Sequence, residues 1–462
     1  MLLLFVLLYM LITVAIGIAA SRLVKTSGDF ILAGRKLPFT LSAFALFALW
    51  FGSETIFGAS SEFIQYGFLG VIEDPFGGAL CLVLYAIFFV KPIYKLNLLT
   101  LGDLFRDTFG KRVELIAAFF MILTFFGYIA AQLVALGILL HIITDIAMPV
   151  CIVISAAVVC LYTIAGGMWA ISITDFLQSI VIIAGLVYVA FKLSGKAGGF
   201  QQILASAPDG FFRFIPSENS AFSWVEYFAA WMVIGLGSIP SQDIFQRANS
   251  ARSLHVAVNS TYFGAFMYLF FAIFPLFIAL AAKVLFPELM QADAQQILPR
   301  VILQHTALPV QILFFGALIS AIFSTCSGAI LAPSSIISEN LLRPLLKKEW
   351  SEYRFLLVLR GSVLFMTIFS TWLALSRSNI YDLVAESSIL GMVSLLVPMV
   401  VAIYFKKYSS ANAATASMMS GLFTWFVFEF LWLIEFPSFL PALMVAVLAY
   451  IFSYLLSKSD KN

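Results

Sequence analysis

Long apolar stretches, separated by short segments that hold most of the charge, constrain this chain more than any other sequence feature. Breaking the sequence at charged clusters and at Gly and Pro gives thirteen such stretches, and a bilayer-spanning helix needs about 20 mostly apolar residues. Hydrophobic residues make up 62% of the chain and charged residues 11%, against about 25% charged in a soluble domain. A water-soluble fold is therefore excluded, and the sequence predicts an all-α polytopic membrane protein surrounded by lipid.

The distribution of Lys and Arg predicts the orientation of the chain. With the N-terminus outside, the inward loops hold twenty of the 26 Lys and Arg residues and the outward loops six. Because cytoplasmic loops are enriched in Lys and Arg, we expect the N-terminus outside and the C-terminus in the cytoplasm of a plasma membrane of the bacterial inner-membrane type. The predicted spans are 1–20, 40–66, 76–96, 113–141, 147–167, 172–192, 224–246, 255–282, 309–337, 354–376, 381–405, 411–433 and 436–457.

The sequence gives no positive support for catalysis, for a transition metal or for nucleic acid. The four cysteines lie in apolar runs without a C-x-x-C pair, and the three histidines are far apart without evident acidic partners, so neither a zinc pattern nor a nucleophile–base pair is present. A net charge of +2 is too small to indicate a nucleic-acid partner. The first apolar stretch lacks a cleavage site, so we expect a retained helix rather than a signal peptide.

Two spans are interrupted by residues that weaken helices. The second contains F-G-S-E, ending at Glu54, and the seventh contains G-L-G-S-I-P, ending at Pro240. Because Pro removes a backbone donor and Gly relaxes the helix, we expect both helices to be broken. The alternative is that these glycines only allow close helix packing.

The two interrupted spans are five spans apart, so they cross the membrane in opposite directions. Paired interruptions of this kind are typical of secondary transporters built from two inverted repeats, with the binding site at the membrane midplane. The predicted organisation is a peripheral first helix (1–20), two five-helix repeats (40–192 and 224–405) and two peripheral helices (411–457).

Oxygen atoms around the first interruption predict an ion site. Its freed carbonyls include those of Ala48 and Phe51, and the ninth span places Ala321, Ser324 and Thr325 at i, i+3 and i+4, on one face of a helix. Neutral oxygen ligands suit a hard cation such as Na+ rather than a transition metal. The alternative for the two hydroxyls is hydrogen bonding between helices.

Asp175, at the start of the sixth span, has two compatible interpretations. With Ser172 three residues earlier it resembles a helix-capping pattern. As a carboxylate near the inner mouth of an ion site, it would instead attract the cation and release it to the cytoplasm.

Glu54 is the strongest candidate for binding solute, because ionisable groups within a span are rare and usually face a cavity. Trp50 lies four residues earlier, and an aromatic face can hold an organic cation. Asp243 either completes a polar pocket after the second interruption or pairs with Arg247 at i+4. The candidate solute residues are Trp50, Glu54, Thr55, Trp231, Gln242 and Asp243.

Four segments together resemble the sodium:solute symporter family. They are the broken second span, A-G-G-M-W-A-I-S-I-T-D-F-L-Q, G-S-I-P-S-Q-D-I-F-Q-R-A-N-S-A and S-A-I-F-S-T-C-S-G-A. The resemblance covers most of residues 1–405. It implies thirteen spans, a leucine-transporter-type five-plus-five fold and a coupling sodium ion. It also implies that Ala48, Phe51, Ala321, Ser324 and Thr325 bind this ion with help from Asp175.

The segments F-F-V-K-P and G-S-I-P-S-Q-D-I-F-Q-R are most similar to the branch of this family that contains high-affinity choline transporters. Trp50 matches a tryptophan that such relatives place against the quaternary ammonium. The chain departs from that pattern at Ser241, where those carriers have an aromatic residue, and at the acidic Glu54 and Asp243. We therefore expect an amine-containing or zwitterionic small organic solute other than choline.

The same resemblance implies the number of sodium ions. The additional sodium site of some relatives requires hydroxyls at the positions of Ser327 and Gly328, and the second is absent here. The prediction is one sodium ion, imported with the solute by alternating access. The alternatives are a proton-coupled or exchange carrier in which Glu54 titrates, and a channel or membrane sensor. The sequence contains no segment large enough for a soluble signalling domain, which disfavours a sensor.

Overall fold

The computed structural model describes residues 2–288, 294–346, 351–432 and 436–459, and within these ranges the chain is built from helices without a named strand. The α-helices are α1 (Leu2–Ala20), α2 (Ser27–Leu32), α3 (Phe39–Trp50), α4 (Ala59–Tyr66), α5 (Gly78–Leu84), α6 (Val90–Lys95), α7 (Leu101–Phe109), α8 (Lys111–Thr144), α9 (Met148–Lys196), α10 (Phe200–Ala205), α11 (Ala221–Gly237), α12 (Gln242–Asn249), α13 (Leu254–Leu285), α14 (Ala294–His305), α15 (Leu308–Ile336), α16 (Arg343–Leu346), α17 (Glu352–Ser376), α18 (Ile380–Gly391), α19 (Val397–Tyr404), α20 (Ala411–Phe426) and α21 (Phe439–Ser459). π-Helical turns extend several of them, including Glu54–Gly58 before α4 and Ile337–Leu342 after α15.

The helices follow the apolar pattern of the sequence, and the all-α polytopic fold is confirmed. Each of the thirteen predicted spans overlaps a described helix or pair of helices. Within the described ranges, nine helical segments are long and apolar enough to cross a membrane, or ten if α11 and α12 form one bent span. The number of thirteen spans stays a prediction.

The second predicted span is broken at the position where its glycine and polar residues predicted a break. Helix α3 ends at Trp50, Phe51 has non-helical angles (φ −85°, ψ 65°), and helical structure resumes as the π-turn Glu54–Gly58. A Cβ atom at Gly52 would lie 2.8 Å from Oε2 of Glu54 and 2.9 Å from Oε1 of Gln132. A side chain at this position would therefore have to displace the side-chain oxygens of Glu54 and Gln132.

The seventh predicted span is broken as well. Helices α11 and α12 form an apolar pair that is bent by 55° between Gly237 and Gln242. A Cβ atom at Gly237 would lie 2.5 Å from the carbonyl oxygen of Ser388. The close approach of α18 therefore accounts for this glycine, and Pro240 lies within the connection.

One predicted loop is absent. The spans 147–167 and 172–192 were expected to be separated by 168–171, but helical structure is continuous in α9 apart from Gly167, which has φ 56° and ψ −157°. A Cβ atom at Gly167 would lie 2.7 Å from the carbonyl oxygen of Phe30. A single glycine with left-handed φ changes the chain direction, so no loop is needed.

Helix α15 lies at the centre of the molecule. In its most apolar window 89% of residues are buried, against 28% for the segment that contains α20 and 22% for α21. The hydroxyls of the ninth predicted span are therefore surrounded by protein, where oxygen atoms can be oriented toward an ion rather than toward lipid.

Candidate functional site

The break after α3 frees backbone carbonyls, and each of three lies within hydrogen-bond distance of a side-chain hydroxyl. A buried carbonyl needs a partner wherever the helix cannot supply one. The pairs are Thr325 Oγ1 with Ala48 O (2.8 Å), Tyr128 Oη with Leu49 O (3.0 Å) and Thr55 Oγ1 with Trp50 O (3.1 Å). Hydroxyls from α8, α15 and the resumed helix therefore stabilise the broken end.

The predicted ion-site residues come together at the first of these pairs. Thr325 Oγ1 lies 2.8 Å from Ala48 O and 3.1 Å from Ala321 O. Phe51 follows at the fully buried end of α3, and Ser324 is adjacent on α15. These three neutral oxygens are of the type that binds a hard cation, and in the structure they are joined by hydrogen bonds from the Thr325 hydroxyl.

Asp175 contacts this group of residues directly. The Ser324 hydroxyl donates to Oδ1 of Asp175, whose side chain is completely buried. The alternative capping role is wrong, because the Ser172 hydroxyl donates to Met168 O (2.8 Å) in the preceding turn. Asp175 therefore adds negative charge beside the candidate ion ligands.

The basic partner of Asp175 is Arg247, with Nη2 of Arg247 3.6 Å from Oδ2 of Asp175. Of the two alternatives for Asp243, the ion pair with Arg247 is not found among the described residues. Asp243 instead accepts hydrogen bonds from the Ser241 hydroxyl and from the backbone N–H of Ile244 (2.7 Å). Asp243 is therefore not paired along its own helix.

Glu54 is 1% exposed and is held by α8. Gln132 Nε2 donates to Oε2 of Glu54 (2.8 Å), and Gln132 Oε1 accepts the backbone N–H of Ser53 (3.0 Å). The Tyr128 hydroxyl lies 3.4 Å from Oε1 of Glu54. Among the described residues, neutral groups thus orient this carboxylate, and no basic side chain forms an ion pair with it.

Glu54 and Asp243 line a cleft between α3, α8, the α11–α12 break and α18. We call it the solute cleft. Its described lining holds two carboxylates and six hydroxyls, and no Lys, Arg or His. The polar and aromatic lining residues are Trp50, Glu54, Thr124, Phe125, Tyr128, Ser238, Ser241, Asp243, Ser387 and Ser388.

Three predicted solute residues lie outside this lining. Thr55 Oγ1 lies 2.9 Å from Oδ2 of Asp74, Gln242 Oε1 accepts the backbone N–H of Leu101 (2.7 Å), and Trp231 packs 5.9 Å from the Phe214 ring. These three residues are close to a break in the sequence, but their side chains do not line the cleft.

A buried polar group around Asp74 was missed by the sequence analysis. The Tyr268 hydroxyl donates to Asp74, and it also lies 2.8 Å from Oγ1 of Thr55. Asp74 and Tyr268 are both completely buried. The acidic residues of I-E-D-P, at the start of the third span, were the available signal. A carboxylate beside an apolar run indicates that other polar groups of the protein contact it.

A polar latch joins α7, α8 and the π-turn after α15. We define it as Thr100, Asp103, Glu114 and Asn340. The Thr100 hydroxyl donates to Oδ1 of Asn340 (2.7 Å), and Nδ2 of Asn340 donates to Oε1 of Glu114 (2.8 Å) and Oδ1 of Asp103 (3.3 Å). Gln242 extends the latch to α12 through its bond to Leu101.

An aromatic cluster joins the loop after α4 to α11. We define this aromatic cap as Phe63, Phe68, Phe76, Phe211, Phe214 and Trp231. Neighbouring ring centroids lie between 4.8 and 6.3 Å apart. The cap is held by apolar contact, whereas the latch is held by hydrogen bonds.

The family model described as "Sodium:solute symporter family" matches residues 30–421. The chain belongs to this family. It is therefore a multi-pass membrane transporter that couples solute movement to sodium, and it is not an enzyme.

Curated relatives of this symporter carry different solutes. It is 29% identical over 441 residues to the human high affinity choline transporter 1, covering 90% of this chain and 75% of the relative. It is 22% identical over 461 residues to the sodium/glucose cotransporter of Vibrio parahaemolyticus, covering 91% and 83%. The symporter is thus similar to choline and sugar carriers, and the relatives' names alone do not assign its solute.

Solved structures support the fold. A substrate-bound, outward-open Na+-coupled sialic acid symporter superposes with a TM-score of 0.84 at 19% identity, over 98% of this chain and 97% of that one. A closed nucleobase-cation-symport-1 family transporter superposes with a TM-score of 0.62 at 18% identity, over 95% and 96%. The chain therefore shares the overall fold of these two transporters.

Proposed function

We propose that this symporter imports a small organic cation with a protonated amine, bound in the solute cleft by Glu54 and Asp243, together with one sodium ion. The observation that carries this proposal is that both broken helices resume with a carboxylate. Glu54 opens the π-turn before α4, and Asp243 lies in the first turn of α12. The N-terminal ends of helices attract anions, and here the chain's own acids already occupy them.

Charge distinguishes a cation from the other solute classes. An anion would face two carboxylates, and the carboxylate of a zwitterion would find no basic side chain in the described lining of the cleft. A protonated amine gains attraction from both acids, and truncating one member of such a buried, hydrogen-bonded charge pair costs about 2–5 kcal/mol. The cleft therefore favours an amine over an amino acid or an organic acid.

The hydroxyls favour an amine that carries N–H donors over a quaternary ammonium. The described lining of the cleft contains six hydroxyls and three aromatic side chains, those of Trp50, Phe125 and Tyr128. A quaternary ammonium is held mainly by aromatic faces, and Ser241 supplies a hydroxyl instead of a ring. Although the chain is similar to choline carriers, we therefore propose a primary or secondary amine.

The ion site proposed for sodium consists of Ala48, Phe51, Ala321, Ser324 and Thr325, with Asp175 beside it. The contact between Thr325 and Ala48 joins α15 to the broken end of α3. An ion held by both helices would fix the α3 break, and the resumed helix begins with Glu54. Sodium binding would thus order the carboxylate that receives the amine, which couples the two cargoes.

Transport of a cation with sodium moves two positive charges inward in each cycle. Each charge gains about 2.3 kcal/mol per 100 mV of membrane potential, and a tenfold sodium gradient adds about 1.4 kcal/mol. One sodium ion therefore supplies enough free energy for strong accumulation. We further propose the N-out, C-in orientation in a plasma membrane and the repeats 40–192 and 224–405, on the basis of the Lys and Arg distribution and the paired breaks.

The first test is a thermal-shift screen of the purified symporter with ethanolamine, choline, alanine and acetate, each in sodium and in potassium. We expect ethanolamine to stabilise most, and only in sodium. Counterflow of labelled ethanolamine or its best-binding analogue in proteoliposomes should then require sodium. Stabilisation by acetate or by a neutral sugar, without any by amines, would contradict the proposed solute class.

A proton-coupled carrier is the second candidate, because Glu54 is buried without a basic partner among the described residues. In that case the amine uptake would follow a pH gradient in potassium as well as in sodium. Equal counterflow rates in the two cations would favour this candidate over sodium coupling.

A further inference from the structure

Arg360 is a charged residue inside an apolar helix, and neither the solute cleft nor the proposed ion site uses it. Helix α17 begins at Glu352, so Arg360 lies about 12 Å along it at 1.5 Å per residue. Under the proposed orientation this is the cytoplasmic half of the span. A charged side chain at this depth is unfavourable unless it finds a partner or reaches the polar headgroup region. Arg360 therefore requires a polar or anionic partner.

The described residues supply no such partner. Arg360 is partly buried, and its Nε atom is buried without a hydrogen-bond acceptor among them. No described carboxylate forms an ion pair with its guanidinium. Because buried polar groups are nearly always hydrogen-bonded, we expect a group from outside the chain to accept hydrogen bonds from Arg360.

Arg360 lies at the edge of α17 that meets α9. Thr367 is two turns further along the same face, and its side chain is in hydrogen-bond contact with Cys160 of α9. Helix α17 also packs against α2. Leu364, one turn after Arg360, is exposed to the surroundings of the helix bundle. The guanidinium is thus placed at a boundary between helices that is open to lipid on one side.

Further basic side chains lie where this boundary reaches the cytoplasmic surface. The backbone N–H of Ser27 donates to Oε2 of Glu352 (2.8 Å), which joins the segment after α1 to the first residue of α17. Arg22 and Lys25 belong to that segment, and Arg354 lies in the first turn of α17. All three are exposed, and none forms an ion pair with a described carboxylate. Positive charge therefore continues from the aqueous surface into the boundary.

The acidic residues of these two segments are already engaged by backbone donors. Glu352 accepts the N–H of Ser27, and Oδ2 of Asp29 accepts the N–H groups of Lys25 (3.3 Å) and Thr26 (3.1 Å). These carboxylates stabilise the start of α2 and do not pair with the basic side chains. The boundary therefore keeps a local excess of positive charge.

We propose that Arg360 anchors the phosphate of an anionic phospholipid in the inner leaflet. Arg22, Lys25 and Arg354 surround its headgroup. Basic pockets between membrane helices on the cytoplasmic side bind such headgroups, and a guanidinium binds phosphate oxygens through two parallel N–H donors. The depth of Arg360 favours a lipid over soluble phosphate, because a lipid carries its phosphate at the membrane interface and its acyl chains fit beside Leu364. This lipid site is independent of the solute cleft and of the proposed ion site, and it rests only on the proposed orientation.

Thermal-shift titrations of the purified symporter in an uncharged detergent test this site. Dioleoyl phosphatidylglycerol, dioleoyl phosphatidylcholine, glycerol 3-phosphate and inorganic phosphate are added separately. We expect phosphatidylglycerol to stabilise the wild type most, because it has a phosphate and a net negative charge together with acyl chains. The two soluble phosphates should have no effect at the same concentrations. Native mass spectrometry of the wild type should show one retained phosphatidylglycerol.

Substitution of Arg360 should weaken the effect of the lipid. Arg360→Met keeps a long unbranched side chain without charge, so the phosphatidylglycerol concentration for half-maximal stabilisation should rise by about tenfold or more, as expected for the loss of a hydrogen bond between charged groups. Arg360→Lys retains the charge and should show a smaller rise. Sodium-dependent stabilisation of both variants should match that of the wild type, because the ion site is elsewhere.

Arg112→Met is the matched control. Arg112 is an exposed Arg in the first turn of α8, at the same side of the membrane, and it forms no ion pair with a described carboxylate. Its substitution removes the same charge from a different helix and should leave the lipid titration almost unchanged.

Several results would overturn the lipid site. Equal weakening by Arg360→Met and Arg112→Met would show a general effect of charge, and equal stabilisation by phosphatidylcholine would show that the anionic headgroup is not recognised. Stabilisation by inorganic phosphate as strong as that by phosphatidylglycerol would assign the site to a soluble anion. Should Arg360→Met not fold, mass spectrometry of the wild type decides: retention of one phosphatidylglycerol in preference to phosphatidylcholine supports the site, and retention of none contradicts it.

Discussion

The two helix breaks differ in what surrounds them. At the first break, three freed carbonyls each lie within hydrogen-bond distance of a hydroxyl, and Gly52 lies against the side chains of Glu54, Gln132 and Thr325. At the second break, Ser238 and Ser241 face the solute cleft. An ion requires oxygens held in place before it arrives, whereas an organic solute requires space and a few directed polar groups. We propose that the first break holds the ion and supplies Glu54 to the solute, and that the second break completes the solute cleft.

The largest expected effect tests whether the two binding functions are separate. Glu54→Gln keeps the shape of the side chain and removes the charge that the amine needs. We expect a loss of about 2–5 kcal/mol in amine affinity, with less than about a threefold change in the sodium concentration for half-maximal stabilisation, which corresponds to less than 1 kcal/mol. Isothermal titration of the purified symporter measures both.

Glu62→Gln is the control for Glu54→Gln, because Glu62 lies on α4 outside the lining of the solute cleft. Its amine affinity should stay close to that of the wild type. An equal loss of sodium and amine affinity in Glu54→Gln would show that the first break binds both cargoes through one group.

A smaller effect, on sodium affinity, is expected from a substitution in the proposed ion site at the first break. Thr325→Ala removes one proposed sodium ligand and leaves Ala48 O without its hydroxyl partner. Losing one hydroxyl oxygen that contacts a buried cation costs about 1.5–3 kcal/mol, so sodium affinity should fall by roughly 10- to 150-fold. Sodium-dependent thermal shift measures this change, and Thr325→Ser, which retains the hydroxyl, should restore most of the affinity. Unchanged sodium dependence in Thr325→Ala would mean that the ion site is misplaced.

The smallest effect concerns the second break. Ser388 Oγ lies 3.1 Å from Ser238 Oγ across the solute cleft, between α18 and the end of α11. Ser388→Ala removes a single neutral hydrogen bond, which is worth about 0.5–1.5 kcal/mol. Amine affinity should therefore fall by roughly 2- to 13-fold, and sodium affinity should not change. A loss of sodium affinity in this variant would contradict the separation of the two breaks.

Features with a local pattern were accessible from the sequence. Apolar runs located the helices, and glycine and proline located both breaks. The spacing of Ala321, Ser324 and Thr325 placed three proposed ligands on one helix face, since helical periodicity is a local property. The contact of Thr325 with Ala48 follows from that face once α15 packs against α3.

Features that depend on pairing between distant spans were not accessible. The sequence offered Asp243, on the same helix, as one candidate partner of Arg247, whereas the partner in the structure is Asp175 on α9. Asp74 was overlooked because the hydroxyls that satisfy it come from two other spans. Trp231 lies beside a break in sequence but packs into the aromatic cap. Tertiary packing determines which of these side chains contact each other, and a single sequence does not reveal that packing.

The contrast between the aromatic cap and the polar latch has a consequence for the thermodynamics of the transport cycle. Parting the rings of the cap exposes apolar surface and raises the heat capacity, whereas hydration of the polar groups of the latch lowers it. Apolar contacts also weaken on cooling. The equilibrium between a conformation with the cap open and one with the latch open should therefore curve with temperature, so that cold favours an open cap and warmth a closed one.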